Sequence, residues 1–226
     1  MSHPTALTIA GSDSGGGAGI QADLKTFSAL GVYGCSVITA LTAQNTQTVS
    51  GVMDVPAEFI TQQIDAVFSD IDVHAVKIGM LSVPETIEAV AAGLKRHGAR
   101  NIVLDPVMVA KSGDALLQPY AVDAVRTILL PLADLITPNL PEAAALLGES
   151  LVTETGDMHE AASALMALGP KAVLLKGGHL TGDESPDVFM DAEGAEVLHS
   201  ARINTRHTHG TGCTLSSAIA AGLAKG

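Results

Sequence analysis

A stretch near the carboxyl end of the sequence, His209–Thr214, has the residue types of an anion-binding loop. It reads His-Gly-Thr-Gly-Cys-Thr and runs into an alanine-rich segment, Leu215–Ala224, with the composition of a helix. The backbone N–H groups of Thr211, Gly212 and Cys213 would converge at the positive end of that helix. Such donors stabilise a transferring phosphoryl group, and a thiol at a helix start tends to have a lowered pKa. The alternative is an ordinary glycine-rich helix start with a buried cysteine.

Four polar residues in the middle of the chain have the chemistry to hold a magnesium nucleotide. Asn139 and Glu142 lie three residues apart at the start of a predicted helix, on one face of its first turn. Together with nucleotide phosphates they can hold Mg²⁺, and Asp105, which ends a predicted strand, can face the same ion. Lys176 directly follows a buried strand, where a lysine requires an anionic partner. The alternative for Glu142 is a solvated acid that favours the helix dipole.

A glycine-rich segment, Gly11–Gly19, joins a predicted strand to a predicted helix. Its glycines do not give the G-x-G-x-x-G motif of dinucleotide-binding proteins, and the sequence contains no Gly-Lys-Ser or Gly-Lys-Thr of a Walker loop. Because glycine lacks a Cβ atom, this backbone can approach a small ring closely. The alternative is a tight strand-to-helix connection. We interpret His179, His207 and His209 as polar loop residues rather than metal ligands.

Short apolar runs and amphipathic stretches alternate along most of the chain. Strands are predicted at Ala6–Ala10, Ser36–Leu41, Ala75–Ile78, Ile102–Leu104, Leu135–Thr137 and Ala172–Leu175, with a hairpin of Asp187–Met190 and Glu196–His199. Helices are predicted at Ile20–Ala29, Pro56–Phe68, Val83–His97, Pro119–Leu130, Pro141–Leu147 and Asp157–Leu168. The strands are apolar at both alternating positions, which is typical of a parallel sheet covered by helices on both faces. The pattern predicts one α/β domain over residues 1–226, with an open, mostly parallel sheet in three α/β/α layers.

The residues that follow the predicted strands are polar or glycine. In an open α/β sheet the ligand binds beyond the carboxyl ends of the strands. The segments at those ends are Gly11–Gly19, Thr42–Thr46, Gly79-Met80, Asp105–Val107, Pro138-Asn139 and Lys176–Gly178. We therefore expect these segments to meet in a single site.

Composition excludes several classes of partner. The 226 residues carry 12 Lys and Arg against 24 Asp and Glu, a formal charge of −12, which disfavours nucleic acids and anionic membranes. Only 3% of the residues are aromatic and Trp is absent, so stacking surfaces for single-stranded nucleic acid are not expected. The two cysteines form no CxxC motif, and the uncharged stretch 26–53 is interrupted by glycine and amides. We therefore expect a cytoplasmic protein with neither a disulfide framework nor a membrane span.

Seven segments, taken together, closely resemble those of the hydroxymethylpyrimidine/phosphomethylpyrimidine kinases of thiamine biosynthesis, a family of the ribokinase-like superfamily. They are Ala10–Thr26, Thr39–Gln44, Lys77–Met80, Asp105–Met108, Thr137–Asn139 with Glu142, Leu175–His179 and Thr208–Leu215. The segments follow in order over essentially the whole chain, so their combination is more specific than any single motif. The resemblance implies the ribokinase-like fold.

The resemblance also implies an activity. The enzyme would use ATP and Mg²⁺ to phosphorylate 4-amino-5-hydroxymethyl-2-methylpyrimidine and then convert the monophosphate into the diphosphate. Gln44 would bind the aminopyrimidine edge through its amide, which is both donor and acceptor. The ring pocket would be formed by Gly11, Ala18, Met80 and Val107. Cys213 stands where many related sugar kinases have an aspartate base, and its thiolate could assist the hydroxymethyl step.

The resemblance assigns the remaining site residues to the nucleotide and its phosphates. Asp105, Asn139 and Glu142 would organise Mg·ATP, with Asp105 and Glu142 holding the metal through water or phosphate. Lys176 would neutralise phosphate charge, and Gly210–Cys213 would form the anion hole. The family usually continues with one more helix after the region matching Ala218–Ala224.

Other functions remain open at this point. A pyridoxal or pyridoxine kinase has the same scaffold and a similar ring-sized alcohol as substrate, although Gln44 and Met80 favour the aminopyrimidine. A pyrimidine-binding protein without turnover is a second alternative, but it has no need of residues for a magnesium nucleotide. A dehydrogenase is disfavoured because the dinucleotide motif is missing. A symmetric homodimer is expected, since most homo-oligomers have two-fold symmetry.

Overall fold

The apolar strands of the chain pair side by side in the centre of the protein. The computed structural model describes residues 3–108, 119–148 and 155–226. Within these ranges, the strands are β1 (Thr5–Asp13), β2 (Tyr33–Gln44), β3 (Val49–Asp54), β4 (Ala75–Ile78), β5 (Ile102–Leu104), β6 (Leu135–Ile136), β7 (Val173–Lys176), β8 (Asp187–Met190) and β9 (Ala195–Leu198). They form one sheet in the order β3-β2-β1-β4-β5-β6-β7-β8-β9. Six neighbouring strands of the sheet are parallel to one another, namely β2, β1, β4, β5, β6 and β7. The strands β3, β8 and β9 are antiparallel to their neighbours.

Helices connect the parallel strands and cover the sheet. They are α1 (Gly19–Ala29), α2 (Ala57–Phe68), α3 (Pro84–Arg96), α4 (Val122–Ala124), α5 (Leu140–Leu147), α6 (Thr155–Met166) and α7 (Thr211–Lys225). The short α4 lies within a longer helical segment that starts as a 3₁₀ turn at Pro119–Ala121, becomes a π helix over Val125–Leu129 and ends as a 3₁₀ turn at Leu130–Leu132. No helix among these residues has the length and apolar character needed to cross a membrane.

Two apolar cores lie on opposite faces of the sheet. On one face Leu7 and Ile9 of β1 pack with Ile60 and Ile64 of α2, in a cluster that extends through α3, α5 and α6. On the other face the strand residues meet Phe27 of α1 and the alanines of α7. The central strands are therefore buried on both sides, which explains why they are apolar at consecutive positions. The predicted α/β fold with helices on both faces is confirmed.

The predicted elements are confirmed, most of them with ends shifted by a few residues, and with three larger differences. β1 and β2 are longer than expected because their polar ends, Asp13 and Gln44, remain paired in the sheet. The edge strand β3 was not predicted, since its sequence includes serine and glycine and most of its side chains are exposed. Its pairing with β2 holds it in place. The predicted helix 119–130 contains 3₁₀ and π turns, so sequence periodicity described it only approximately.

Candidate active site

A pocket opens at the carboxyl ends of the central strands. The sheet order places β2 on one side of β1 and β4 on the other, so the connections diverge at this point and leave a crevice, as is usual for ligand sites in open α/β sheets. The pocket is lined by Ala10, Gly11, Ser12, Asp13, Gly19, Thr42, Gln44, Lys77, Met80, Val107 and Cys213. The fold thus brings predicted substrate residues into one cleft with Cys213. A second surface depression, lined by 68–73 and 97–100, lies at the amino-terminal ends of β4 and β5 and contains none of the predicted site residues.

Gln44 is fastened at the mouth of the pocket by its backbone. The hydroxyl of Ser14 donates to the Gln44 carbonyl at 2.7 Å, and the Gln44 N–H donates to the same hydroxyl at 2.9 Å. The hydroxyl of Thr42 lies 3.1 Å from Gln44 Oε1. Within the described residues, the amide nitrogen of this side chain donates no hydrogen bond. Gln44 therefore has a fixed backbone and a donor that is available to a ligand.

Glycine at position 11 leaves room for the neighbouring side chain of Met80 in the wall of the pocket. A Cβ atom at Gly11 would lie 3.1 Å from Met80 Sδ, closer than ordinary packing allows. Met80 is itself held by its carbonyl, which accepts a hydrogen bond of 2.8 Å from the buried Thr39 hydroxyl. Gly11, Met80 and Val107 together form a narrow apolar wall of the pocket.

Asp13 organises the glycine-rich turn around its own carboxylate. Oδ1 accepts the N–H of Gly15 at 2.8 Å, and Oδ2 accepts the N–H groups of Gly17 at 3.0 Å and Ala18 at 2.8 Å. His209 Nε2 lies 2.8 Å from the same Oδ2 and so links this turn to the loop before α7. Burial by itself raises the pKa of Asp13, but the hydrogen bonds from His209 and the three amides outweigh it and lower the pKa below its usual value. Sequence reasoning missed Asp13, although an acid directly before a glycine-rich turn was a signal.

Ala18 lies in this turn, as the residue before α1, and is not among the residues that line the pocket. Its N–H group is bound to Asp13, so the turn holds it in place. Its role in the ring pocket stays a prediction. The interpretation of His209 as a polar residue of its loop agrees with the contact to Asp13.

The loop before α7 offers fewer free N–H groups than the sequence predicts. Gly210 has a φ of +80°, and a Cβ atom there would clash with the carbonyl oxygen of Gly17, so both its conformation and its contact require glycine. The N–H of Thr211 is not free, because it donates to the Thr208 carbonyl at 3.3 Å. In the described part of the chain, the N–H groups of Gly212 and Cys213 have no acceptor. Two donors, rather than the expected three, are available to an anion.

Cys213 lies at the first turn of α7 and faces the pocket. Burial raises the pKa of its thiol, and the carboxylates of Asp105 and Asp23 raise it further, whereas Lys77 and the N–H of Gly19 lower it. The expectation of a lowered pKa at a helix start is therefore wrong for this cysteine. The reason is that removal from water and two nearby negative charges outweigh the helix dipole.

Asp105, which is buried, and Lys176, whose side chain is 16% exposed, form an ion pair beside the loop before α7. Lys176 Nζ lies 3.2 Å from Asp105 Oδ1, and a Cβ atom at Gly212 would lie 3.4 Å from Lys176 Nζ. The hydroxyl of Thr137 donates to Asp105 Oδ1 at 3.2 Å and that of Ser216 donates to Oδ2 at 3.3 Å. Burial lowers the pKa of Lys176, but Asp105 and Glu142 more than compensate and raise it, so the ammonium remains charged. Lys176 and Asp105 are thus adjacent to Gly212.

Asn139 and Glu142 form a reciprocal cap at the start of α5. The N–H of Asn139 donates to Glu142 Oε2 at 2.8 Å, and the N–H of Glu142 donates to Asn139 Oδ1 at 2.9 Å. Glu142 is buried and not the solvated acid of the alternative interpretation. Burial and the nearby Asp105 raise its pKa to about 7, against the opposing effects of Lys176 and the Asn139 N–H. Asn139 Oδ1 is therefore engaged in the cap.

The residues present fit a magnesium ion bound through phosphate. Asp105 and Glu142 bring two carboxylates near one lysine. Burial, and after it the charge of Asp105, raise the pKa of Glu142, and a cation would offset both effects. Among the described residues, no group of three or more His, Cys, Asp or Glu side chains is arranged to hold a metal. Two carboxylates that require phosphate oxygens and water to complete the shell are typical of Mg²⁺ sites.

We expect Glu142→Gln to stabilise the protein in magnesium-free buffer at alkaline pH. Glutamine keeps the cap but removes a carboxylate that must be charged while buried. Because the folded-state pKa of Glu142 is raised to about 7, the protonated form favours the fold at low pH and this contribution is lost as the pH rises through 7. The gain in Tm should therefore be large at about pH 8 and much smaller at about pH 5, which is close to the ordinary glutamate pKa of 4.5.

A matched control for this prediction is Glu85→Gln. Glu85 is an exposed acid in the first turn of α3, where its charge favours the helix dipole. Its replacement should lower the stability slightly at both pH values, by about 0.3–1 kcal/mol. Thermal unfolding of both variants at the two pH values tests the prediction, and a gain for Glu142→Gln that does not depend on pH would contradict it.

A buried ion pair beneath the pocket was missed by the sequence analysis. Lys77 Nζ lies 3.0 Å from both carboxylate oxygens of Asp23, and neither side chain is exposed. The charge of Lys77 within the otherwise apolar strand β4 was the available signal. Its partner was not identifiable because it lies on a helix 54 residues away in the chain.

Comparison with known proteins agrees with this geometry. Residues 13–226 match the model of the phosphomethylpyrimidine kinase family. The chain is 63% identical over 221 residues to the hydroxymethylpyrimidine/phosphomethylpyrimidine kinase of Rhizobium meliloti, covering 98% of this chain and 83% of the relative. The crystal structure of phosphomethylpyrimidine kinase from Clostridium difficile has a TM-score of 0.87 at 50% identity, with 98% of this chain and 91% of that chain covered.

Pyridoxal kinases have a similar structure. The ADP complex of the Bacillus subtilis enzyme has a TM-score of 0.92 at 44% identity and covers 100% of this chain and 85% of that chain. The family match and the identity to the Rhizobium enzyme confirm the resemblance that the sequence motifs predict. This chain is a kinase and belongs to the phosphomethylpyrimidine kinase family.

Proposed function

We propose that this kinase transfers a phosphoryl group from ATP to the hydroxymethyl group of 4-amino-5-hydroxymethyl-2-methylpyrimidine and then to the resulting monophosphate. The observation that carries the proposal is the placement of Gln44 and Cys213 in one pocket. A side chain that can bind a nitrogen heterocycle therefore lies in the same cleft as Cys213, whose N–H is one of the two available donors of the loop before α7. The ADP bound to the Bacillus subtilis pyridoxal kinase supports the use of an adenine nucleotide.

The substrate ring would lie between Gln44 and the apolar wall. The Gln44 amide offers a donor and an acceptor to the amino group and ring nitrogen of the pyrimidine. Gly11, Met80 and Val107 line the pocket and provide a narrow apolar surface for the ring. Ala18 belongs to the turn that ends at the pocket residue Gly19 and would act through that turn.

The phosphate side of the site would lie against α7. The N–H groups of Gly212 and Cys213 would bind the transferring phosphoryl group, and Lys176 would neutralise its charge. Gly210 and Thr211 give this loop its shape.

Asp105 and Glu142 would hold Mg²⁺ through water or phosphate, and Asn139 would keep Glu142 in position. When bound, the ion would neutralise the negative charge that accumulates on the phosphate oxygens.

The direct test is the release of ADP with each of the two acceptors. Purified protein with ATP and Mg²⁺ should release ADP with the hydroxymethyl substrate and again with its monophosphate. The diphosphate should be the final product, and EDTA should stop both reactions. No ADP above the blank with either acceptor would overturn the proposal, and substrate binding that is unaffected by Mg·ATP would then favour a protein that only binds pyrimidines.

Pyridoxal is a second candidate substrate. The similarity to the Bacillus subtilis pyridoxal kinase favours it, because the whole chain aligns at 44% identity. The same ADP assay with pyridoxal separates the two functions, since a pyridoxal kinase forms only a monophosphate. Turnover of pyridoxal without diphosphate formation from the pyrimidine would favour the second function.

We expect Cys213→Ala to impair the first phosphorylation more than the second. In the first step the thiolate of Cys213 would take the hydroxyl proton while the hydroxyl oxygen bonds to phosphorus and the bond to ADP breaks. Removal of a general base costs about 10²–10⁴ in rate. The monophosphate has a second pKa near ~6 and is already ionised as an acceptor, so its phosphorylation should lose little. Separate kcat values for the two acceptors measure the difference.

Cys35→Ala is the control for this variant, because Cys35 is buried on β2 and does not line the pocket. Both kcat values should be retained in this control. Equal losses in both steps for Cys213→Ala would contradict a role as base for the hydroxyl group alone.

The homodimer expected from the sequence has one supporting observation. Tyr33, Val52 and Met53 expose large apolar side chains near the β3 edge of the sheet, where a second copy could cover them. Light scattering on the purified chain measures the mass directly. A mass of one chain across the accessible concentration range would contradict the dimer.

A further inference from the structure

The ion pair of Lys77 and Asp23 is completely buried, and both carboxylate oxygens of Asp23 accept hydrogen bonds from Lys77 and from a hydroxyl. Lys77 Nζ contacts both carboxylate oxygens of Asp23 at 3.0 Å. The hydroxyl of Thr8 donates to Asp23 Oδ2 at 2.6 Å, and the hydroxyl of Ser217 donates to Oδ1 at 2.6 Å. The cluster thus joins β1, β4, α1 and α7 directly beneath the pocket.

Stability alone is a weak explanation for this cluster. Removing two charges from water costs about as much as their attraction returns, and apolar replacements of buried pairs are often neutral or stabilising. The pair does not lie at an arbitrary place in the core. Lys77 lines the same pocket as Cys213, and Ser217, which binds Asp23, lies one helical turn after Cys213 on α7.

The charged and polar groups around Cys213 come from four elements or their ends. Lys77 on β4, Asp23 on α1 and Asp105 after β5 act on it, as does the N–H of Gly19 at the start of α1. Lys176 at the end of β7 also interacts with the thiol. Lys77 makes the largest contribution in favour of the charged sulfur, whereas burial and the two carboxylates oppose it.

We propose that Lys77 is a positioning residue for the phosphoryl transfer: held by Asp23 beneath the pocket, its ammonium supplies the positive charge that stabilises the thiolate form of Cys213. Asp23 then has two opposing effects. It holds the ammonium in place, and its own negative charge limits the stabilisation. The catalytic consequence rests on the proposed function of Cys213 as a base, but the electrostatic effect on the sulfur does not.

Two variants that should shift the pH midpoint for alkylation of Cys213 in opposite directions test this inference. Lys77→Met removes the positive charge, so the pH midpoint for alkylation of Cys213 should rise by about one pH unit or more. Asp23→Asn keeps the shape of the carboxylate and its acceptor for Lys77, and it should lower the midpoint. The double variant combines Lys77→Met with Asp23→Asn. Its pH midpoint for alkylation should lie between those of Lys77→Met and the wild type, because the charge of Lys77 has a larger effect on the sulfur than that of Asp23.

The measurement is the rate of iodoacetamide labelling of Cys213 as a function of pH, followed by mass spectrometry of the peptide. Cys213→Ala gives the background, including any labelling of the buried Cys35. No turnover is needed, so failure of the ADP assay and failure of this test are distinguishable. If kinase activity is present, Lys77→Met should also reduce kcat for the hydroxymethyl acceptor more than for the monophosphate.

Each variant tests the direction in which the pH midpoint shifts. If one variant does not fold, the shifts of the other two still decide the question. Circular dichroism identifies the folded variants, and the double variant contains no unpaired buried charge. Midpoints in the order Lys77→Met, double variant, wild type and Asp23→Asn, from highest to lowest, support the proposal. Midpoints that all move in one direction, or that do not move in the folded variants, overturn it and leave the pair with a structural role.

Discussion

Gly210→Ala should reduce kcat/KM for both phosphorylation steps by about 10² or more, because a displacement of about 1 Å near the reacting groups has effects of this size. Gly210 adopts a φ of +80°, and the added Cβ atom would clash with the Gly17 carbonyl oxygen. Both partners in this clash are backbone, so no side chain can move aside. The loop must shift, and the N–H groups of Gly212 and Cys213 shift with it.

Gly222→Ala is the matched control in the same part of the chain. Gly222 lies within α7, and a Cβ atom there would meet nothing within 4 Å. Alanine is the better helix former by about 1 kcal/mol, so this variant should retain its activity and gain stability. Steady-state kinetics and thermal unfolding of both variants check the pair of expectations. Full activity of Gly210→Ala would show that the loop geometry is not needed for catalysis.

Lys176→Met should lower kcat for both acceptors by about 10²–10³, the usual effect of removing one preorganised group that stabilises transition-state charge. The Lys176 side chain is largely buried and paired with Asp105, and a Cβ atom at Gly212 would lie 3.4 Å from its ammonium. Methionine has a similar shape and no charge. Its introduction leaves Asp105 and Glu142 facing each other without a lysine, which should weaken the binding of an anionic nucleotide and raise KM for ATP.

Lys171→Met controls for the loss of one positive charge from an acidic protein. Lys171 pairs with Asp134 on the surface, where its side chain is 79% exposed. An exposed pair of this kind contributes about 0–1 kcal/mol, so kinetic constants should not change. Similar losses in the two variants would mean that net charge, rather than the position of Lys176, determines the rate.

The architecture was largely predictable because it follows from local patterns. Runs that are apolar at consecutive positions mark strands buried on both faces, and Ala75–Ile78 and Ile102–Leu104 were predicted with the bounds that the structure shows. The edge strand β3 lacks that pattern, because its side chains face solvent and its stability comes from pairing with β2. A buried strand is recognisable from its apolar residues, whereas a strand paired at an exposed edge has no such pattern.

The grouping of residues in the candidate site was also predictable, since polar residues at the carboxyl ends of parallel strands must lie at the same end of the sheet. Gln44, Met80, Val107 and Cys213 line the predicted cleft. The electrostatic state of these residues was not predictable in the same way. Cys213 has a raised pKa where the helix start suggested a lowered one, because its surroundings include Asp23 and Asp105 from distant parts of the chain.

The sequence by itself determined the kinase family, the α/β fold and the residues that gather at one edge of the sheet. The tertiary structure alone decided which of their polar groups are free. In the folded chain, the Thr211 N–H donates to the Thr208 carbonyl and Glu142 is buried. The turn after β1 is hydrogen-bonded to Asp13, whose partner His209 is 196 residues away. The physical reason is that residue type and spacing record local conformation and burial, whereas hydrogen-bond partners and pKa values depend on groups that only folding brings together.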